Sequence, residues 1–148
     1  KKELPAVEYD ASLQDAIIVD IDGTLAHMSG RSPYDESKVI EDSVDLTIRS
    51  IVNTYHIMNH SIILVSGRHD SCKEDTIKWL EKHDIEYDFL FMRKAGDDRK
   101  DYVVKKEIYE SYIKGDFNIH FVLDDRDQVV QMWREQGLKC LQVAEGDF

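Results

Sequence analysis

The residues best suited to chemistry are Asp20 and Asp22, one residue apart and followed directly by Gly23-Thr24. They close the apolar run Ala16-Ile17-Ile18-Val19, and a strand buried on both faces reads as such a continuous run. Asp is depleted in strands, so two acids at this strand's end need a reason. One reason is local: they cap a turn. The other is chemical: carboxylates gathered at a strand end can hold a metal ion and act on a substrate there. A calcium-binding loop is excluded, because the positions that need Gly and Glu, counted from Asp20, hold Leu25 and Arg31.

Two further apolar runs end in polar groups. Ile62-Ile63-Leu64-Val65 leads into Ser66-Gly67-Arg68, and Ile119 to Leu123 leads into Asp124-Asp125. Together these residue types suit phosphoryl transfer. A carboxylate such as Asp20 can attack phosphorus and form an aspartyl-phosphate, splitting one hard displacement into two. Mg²⁺ held by Asp20 with one or both of Asp124 and Asp125 would relieve the repulsion between that carboxylate and an anionic phosphate. Asp22, placed in the turn rather than the strand, can protonate the leaving oxygen and later activate water. Ser66 and the turn amides around Gly67 offer neutral donors to phosphate oxygens, and Lys105 offers a point charge. Asp101 lies one helical turn before Lys105 and can orient it; the same spacing also describes an ordinary surface ion pair.

Arg31, Arg68 and Arg126 each follow one of these motifs. A guanidinium there can fork onto a phosphate or nucleotide backbone, or simply be solvated. His27 and His69 read as solvated loop histidines, and Trp79 and Trp133 as core residues rather than stacking platforms. Arg93, Lys94, Arg99 and Lys100 form the one basic cluster, either a solvated loop or a strand-end contact for nucleic acid.

Positioning these groups requires strands alternating with helices. The strands are expected at about 16–21, 61–68, 87–92, 119–123 and 139–143. The helices are expected at about 41–58, 72–83 (capped by Asp70 or Ser71), 101–113 (with Val104, Ile108 and Tyr112 inward) and from Asp127 to Gly137. Residues 1–15 read as a linker or lead-in, and 26–38 as a loop or small flap. Alternation of this kind predicts an α/β fold with a parallel five-stranded sheet flanked by helices. Ligands of such sheets bind at the carboxyl ends of the strands, which is where Asp20, Ser66 and Asp124 fall. With only a small flap between the first two strands, that edge stays open to a polymer end rather than enclosing a metabolite.

The chain has 148 residues, 42% hydrophobic and 33% charged, which suits one globular domain. A formal charge of −11 argues against a generally basic nucleic-acid coat. Cys72 and Cys140 lack metal-ligand spacing and read as free thiols in a reducing compartment.

Asp20-Ile21-Asp22-Gly23-Thr24, Ser66, Lys105 and Asp124-Asp125 resemble, in order, the four motifs of haloacid dehalogenase (HAD) phosphohydrolases, which share a Rossmann-like fold. A narrower resemblance is to the phosphatase domain of phage-type polynucleotide kinase/phosphatase. It rests on Gly30-Arg31 with Pro33-Tyr34-Asp35, Val65-Ser66-Gly67-Arg68, Gly96-Asp97 through Arg99-Lys100-Asp101 to Val104-Lys105, Asp124-Asp125-Arg126 with Met132-Trp133-Arg134, and the ending Gln142 to Phe148. The resemblance implies a Mg²⁺-dependent phosphatase that removes 3′-phosphates, and opens 2′,3′-cyclic phosphates, at RNA or DNA ends during repair. It implies Asp20 as nucleophile, Asp22 as general acid/base, and Ser66 and Lys105 as phosphate binders, with Asp101 the partner of Lys105. Mg²⁺ is expected between Asp20, the Asp22 carbonyl and Asp124/Asp125, with Thr24, Gly67, Arg31, Arg68 and Arg126 on the substrate side. The segment after Arg68 is shorter than the family pattern.

No Gly-x-x-x-x-Gly-Lys-Ser/Thr loop occurs, and the chain starts at Lys1. Residues 16–148 are therefore expected to be the C-terminal phosphatase domain of a longer kinase/phosphatase working in phage or bacterial host cytosol. Two other readings compete: an HAD phosphatase for a small ester or nucleotide, and a non-catalytic Mg²⁺-binding interaction domain.

Overall fold

The apolar runs pair as parallel strands. The computed structural model describes residues 5–148, so the first four residues of the expected lead-in lie outside the described residues. The central strand β1 (Gln14–Val19) lies between β4 (Ser61–His69) and β6 (Phe117–Asp124), with β5 (Phe89–Arg93) and β7 (Cys140–Gln142) at the edges. All four pairings are parallel, giving the order β5-β4-β1-β6-β7. β1 begins two residues before the expected start. The rest of the lead-in is docked rather than free: Val7 N donates to the Gly137 carbonyl at 3.2 Å, and Asn118 Nδ2 donates to the carbonyls of Asp10 and Leu13.

Both faces of the sheet are covered, which explains the unbroken apolar runs. Ala16 and Ile18 pack with Val104 and Ile108 of α3 (Asp101–Ile108) and with Val129, Val130 and Trp133 of α4 (Asp127–Glu135). Ile17 and Val19 face the other way, toward Ile48 and Val52 of α1 (Leu46–Ile57) and Trp79 and Leu80 of α2 (Lys73–Lys82). Both tryptophans are fully buried, as expected.

Several boundaries differ from the sequence-based expectation, each for a local reason. α1 starts at Leu46, not 41, because Asp45 caps it by accepting from Ile48 N at 3.0 Å. The preceding residues form the flap: β2 (Ala26–His27) pairs antiparallel with β3 (Ser43–Val44), and a 3₁₀ segment, Glu36–Glu41, lies between them. Neither Asp70 nor Ser71 caps α2; Asp70 instead accepts from Ala95 N at 3.0 Å. Asp127 is not a cap either, but the first residue of α4, and its carboxylate takes the Gln142 amide at 2.6 Å. Tyr112 is half exposed rather than inward. A π-helical turn over Tyr109–Ile113 shifts the helical phase and buries Ile113 in its place. No helix among the described residues is long and apolar enough to cross a membrane.

Candidate active site at the carboxyl edge of the sheet

The ends of β1, β4 and β6 deliver the expected acids and donors to one edge, and α3 supplies the lysine. Asp20 N donates to the Leu123 carbonyl at 2.9 Å, fastening the end of β1 to β6 beside Asp124. The Asp20 carboxylate is held on both oxygens: Lys105 Nζ donates to Oδ1 at 2.7 Å and Thr24 Oγ1 to Oδ2 at 2.9 Å. Lys105 Nζ also reaches Asp124 Oδ2 at 3.0 Å. That oxygen takes the Trp133 indole N–H at 3.1 Å, while Asp124 Oδ1 takes the Asp125 backbone N–H at 2.9 Å. Trp133, expected only as core, thus also orients an acid of the site.

Asp20, Asp124 and Asp125 are all buried, and each offers a carboxylate oxygen within 4.8 Å of the others. Burial pushes Asp20 well above the usual carboxylate range, and the charge of Asp124 adds to this, against the opposing pull of Lys105. Asp125 is raised for the same two leading reasons. Desolvation works against the charged form of Lys105, but Asp124 and Asp20 outweigh it and hold the ammonium protonated. Three acids against one ammonium leave an excess of negative charge in a dry cluster. An all-oxygen, over-negative donor set of this kind fits a small hard divalent cation such as Mg²⁺. Gly23 is required here: its φ is +81°, and a Cβ would stand 2.1 Å from Asp125 Oδ2.

Asp22 sits in the turn as expected, but its carboxylate faces arginines rather than the other acids. Arg68 Nη2 donates to Asp22 Oδ1 at 2.7 Å, and Arg31 Nη2 lies 3.5 Å from the same oxygen. Both guanidinium groups also bind Asp42, Arg31 through Nε at 2.8 Å and Nη2 at 3.0 Å, and Arg68 through Nη2 at 2.9 Å. Arg68 Nη1 adds Thr76 Oγ1 at 3.1 Å. The side chains of Arg31 and Arg68 are 3% and 1% exposed, and that of Asp22 is 37% exposed. Arg31 and Arg68, expected on the substrate side, are therefore internal braces, and Asp22 is the open face of the group. Asp42 was missed because it lies where the helical pattern was extended too far. Two arginines with no acid named for them were the available signal.

Asp101 departs from expectation too. It makes no hydrogen bond to Lys105; it accepts from Arg93 Nη2, and from Arg126 Nη1 at 3.0 Å. Burial opposes ionisation of Asp101, but the charges of Lys105, Arg93 and Arg126 together hold it below the usual carboxylate range. Gly67 permits this approach, since a Cβ there would lie 2.6 Å from Asp101 Oδ1. Ser66 is buried, and its Oγ accepts from Arg68 N at 3.1 Å, leaving the hydroxyl proton free to donate. Arg126 is the one expected arginine with substantial exposure; its Nε donates to the Phe148 carbonyl at 2.6 Å.

Two members of the basic cluster are taken up by internal partners, while Lys94 and Lys100 stay exposed. Arg93 is buried against the carbonyls of Gly67, Asp97 and Arg99, and Arg99 is paired with Asp97 and Glu107. His69 is tied to Glu36 and His27 to Asp45.

A parallel sheet in this order, with acids at the ends of the adjacent strands β1 and β6, defines an α/β fold of the HAD phosphatase type. Its solved neighbours include a D,D-heptose 1,7-bisphosphate phosphatase from B. bronchiseptica, 14% identical, with a TM-score of 0.61 over 87% of this chain and 80% of that one. The chain belongs to the family of the polynucleotide kinase PNKP phosphatase domain, whose family model matches residues 14–148. It is similar to a chain in the Pnkp1/Rnl/Hen1 RNA repair complex, with 40% identity and a TM-score of 0.95 over 100% of this chain and 48% of that one. It is also 40% identical over 124 residues to a protein of Autographa californica nuclear polyhedrosis virus assigned as a bifunctional polynucleotide kinase/RNA ligase. That match covers 81% of this chain and 18% of the viral protein, so the chain spans under half of either relative's length.

Proposed function

We propose that the chain is a Mg²⁺-dependent polynucleotide 3′-phosphatase that heals RNA or DNA ends, 2′,3′-cyclic phosphates included, and that in its parent protein it accompanies a P-loop kinase domain. The observation that carries this reading is the bridging of Asp20 and Asp124 by Lys105 within a buried acid cluster, at the open edge of a PNKP-family phosphatase domain. In the first step Asp20 attacks phosphorus, the bond to the ribose 3′-oxygen breaks, and Asp22 delivers a proton to that oxygen. In the second step Asp22 takes a proton from water, which attacks the phosphorus, breaks the aspartyl bond and releases inorganic phosphate.

Asp20 and Asp124 or Asp125 would hold the Mg²⁺, which when bound would supply positive charge to offset the repulsion between carboxylate and phosphate. Lys105 and Thr24 keep the Asp20 carboxylate aimed, and the Ser66 hydroxyl donates to an equatorial phosphate oxygen. Arg31 and Arg68 hold Asp22 at the site's rim, where its exposed edge can meet the leaving group. Arg126 is the arginine placed to meet the polynucleotide backbone.

The test compares hydrolysis of a 3′-phosphorylated oligoribonucleotide, the matching deoxy oligonucleotide, a 3′-mononucleotide and an aryl phosphate, with Mg²⁺ and with EDTA. Release from the oligonucleotides, abolished by EDTA and by Asp20→Asn, is expected. Turnover of the small esters alone would overturn the polynucleotide assignment. Substantial Mg²⁺-dependent turnover by Asp20→Asn would overturn the covalent route.

A further inference from the structure

The amino-terminal halves of β1 and β6, with the residue just before β4, carry a second group of ligand-type side chains. Asp15 of β1, His60 just before β4 and His120 of β6 each offer one ligand atom, and the three atoms lie within 4.8 Å of one another. His120 Nε2 is 3.4 Å from Asp15 Oδ1. The His60 ring stands edge-on to that of His120, with centroids 4.6 Å apart, and edge-on to Tyr55 at 5.0 Å.

Two observations separate this group from an ordinary surface His–Asp pair. The first is the state of His60. Its Nδ1 lies 3.2 Å from the Met58 carbonyl, which can only accept, so in the neutral ring Nδ1 carries the proton and the lone pair is on Nε2. That Nε2 is shut away from solvent and has no hydrogen-bond partner among the described residues. A histidine whose far nitrogen is anchored on a backbone carbonyl is the usual arrangement of a metal-bound imidazole.

The second observation is a β-bulge. Ala16 pairs with Ile119 and Ile18 with Val122, so His120 and Phe121 together oppose the single residue Ile17. The extra residue lets both side chains meet the same ring group, Phe121 against Tyr55 at 5.1 Å and His120 against His60. Bulges re-aim side chains in this way beside functional sites.

We propose that Asp15, His60 and His120 bind a late first-row divalent cation such as Zn²⁺, through His60 Nε2, a ring nitrogen of His120 and a carboxylate oxygen of Asp15, with water completing the coordination. Imidazole-rich donors suit Zn²⁺, Co²⁺ and Ni²⁺, whereas the all-oxygen acid cluster suits Mg²⁺, so the two ends of the sheet select different ions. Five residues of extended strand put Asp15 about 16 Å from Asp20. A cation here takes no part in the chemistry of the acid cluster; it ties β1 and β6 to the start of β4.

Co²⁺ is the probe, because its visible absorption reports nitrogen ligation. The whole chain is saturated with Mg²⁺ to fill the acid cluster and titrated with Co²⁺ by absorbance and calorimetry. One Co²⁺ per chain is expected, displaced by Zn²⁺ and not by further Mg²⁺. His60→Ala and His120→Asn should each weaken binding by roughly tenfold or more, while Asp124→Asn leaves it unchanged. His120 is exposed, so His120→Asn remains decisive even if His60→Ala fails to fold. Equal Co²⁺ affinity in His120→Asn and the parent chain, no Co²⁺ binding by the Mg²⁺-saturated chain, or a band lost in Asp124→Asn and kept in His120→Asn would each overturn the proposal.

Discussion

Asp42→Ala is a sharp test of how the turn acid Asp22 is held. The substitution removes the carboxylate that accepts from Arg31 at 2.8 and 3.0 Å and from Arg68 at 2.9 Å. In the folded protein two carboxylates, Asp22 and Asp42, face two guanidinium groups; afterwards one remains. Both arginine side chains are almost wholly buried, so water cannot compensate. Removing one partner from a buried ion pair costs about 3–5 kcal/mol, because a charge is left unmatched in a poorly polarisable surrounding. For a chain of this length each kcal/mol moves the melting temperature by about 2–4 °C, so a fall on the order of 10 °C is expected by circular dichroism near neutral pH. The control is a double-mutant cycle. Arg31→Met in the Asp42→Ala background removes the stranded charge and should recover part of the loss, giving non-additive energies. A melting temperature within about 2 °C of the parent, or fully additive effects, would refute the view that Asp42 neutralises the braces of Asp22.

Three further outcomes follow from the geometry. Gly23→Ala should abolish phosphatase turnover and lower stability by about 1–3 kcal/mol, because the residue has a positive φ and its new methyl group would strike Asp125; a fully active variant would contradict the close approach. Trp133→Phe deletes the indole donor to Asp124 at 3.1 Å and should cost about 2 kcal/mol in urea unfolding, and an unchanged midpoint would refute that role. Burial raises the Cys72 thiol and pushes Cys140 up to about 12 from an ordinary 9.0. The folded protein therefore keeps both thiols protonated, a stabilisation complete below the ordinary thiol value and lost as pH rises through it toward 12. Alkylation by iodoacetamide at pH 8 should be slow in the native protein and fast in urea, and equal rates would show that the thiols are not protected.

What could be read from the chain was whatever has a short-range signature. Unbroken apolar runs identify strands buried on both faces, and the polar residues ending them identify the working edge, so Asp20, Ser66, Asp124 and Asp125 were placed on one edge from the sequence alone. Partnerships across the fold leave no such mark. Lys105 was assigned to Asp101 four residues away, yet it turns to Asp20 and Asp124, eighty-five and nineteen positions distant. Asp101 in turn serves arginines from two other segments. Arg31 and Arg68 looked available because their acid, Asp42, lies in the flap over which the helical pattern of α1 had been extended. The π-helical turn that exposes Tyr112 breaks a 3.6-residue stripe that the sequence seemed to continue.

The central position of β1 has a kinetic consequence. Its two neighbours arrive from residues 61–69 and 117–124, so Asp20 joins Lys105 and Asp124 only through contacts distant in sequence. Long loops must close before Asp20 meets Lys105 or Asp124, and folding is slower where such distant contacts dominate. No early helical intermediate can therefore hold the cluster together. Recovery of the proposed phosphatase turnover during refolding should coincide with the last spectroscopic phase, so that this activity would serve as a clock for completion of the sheet.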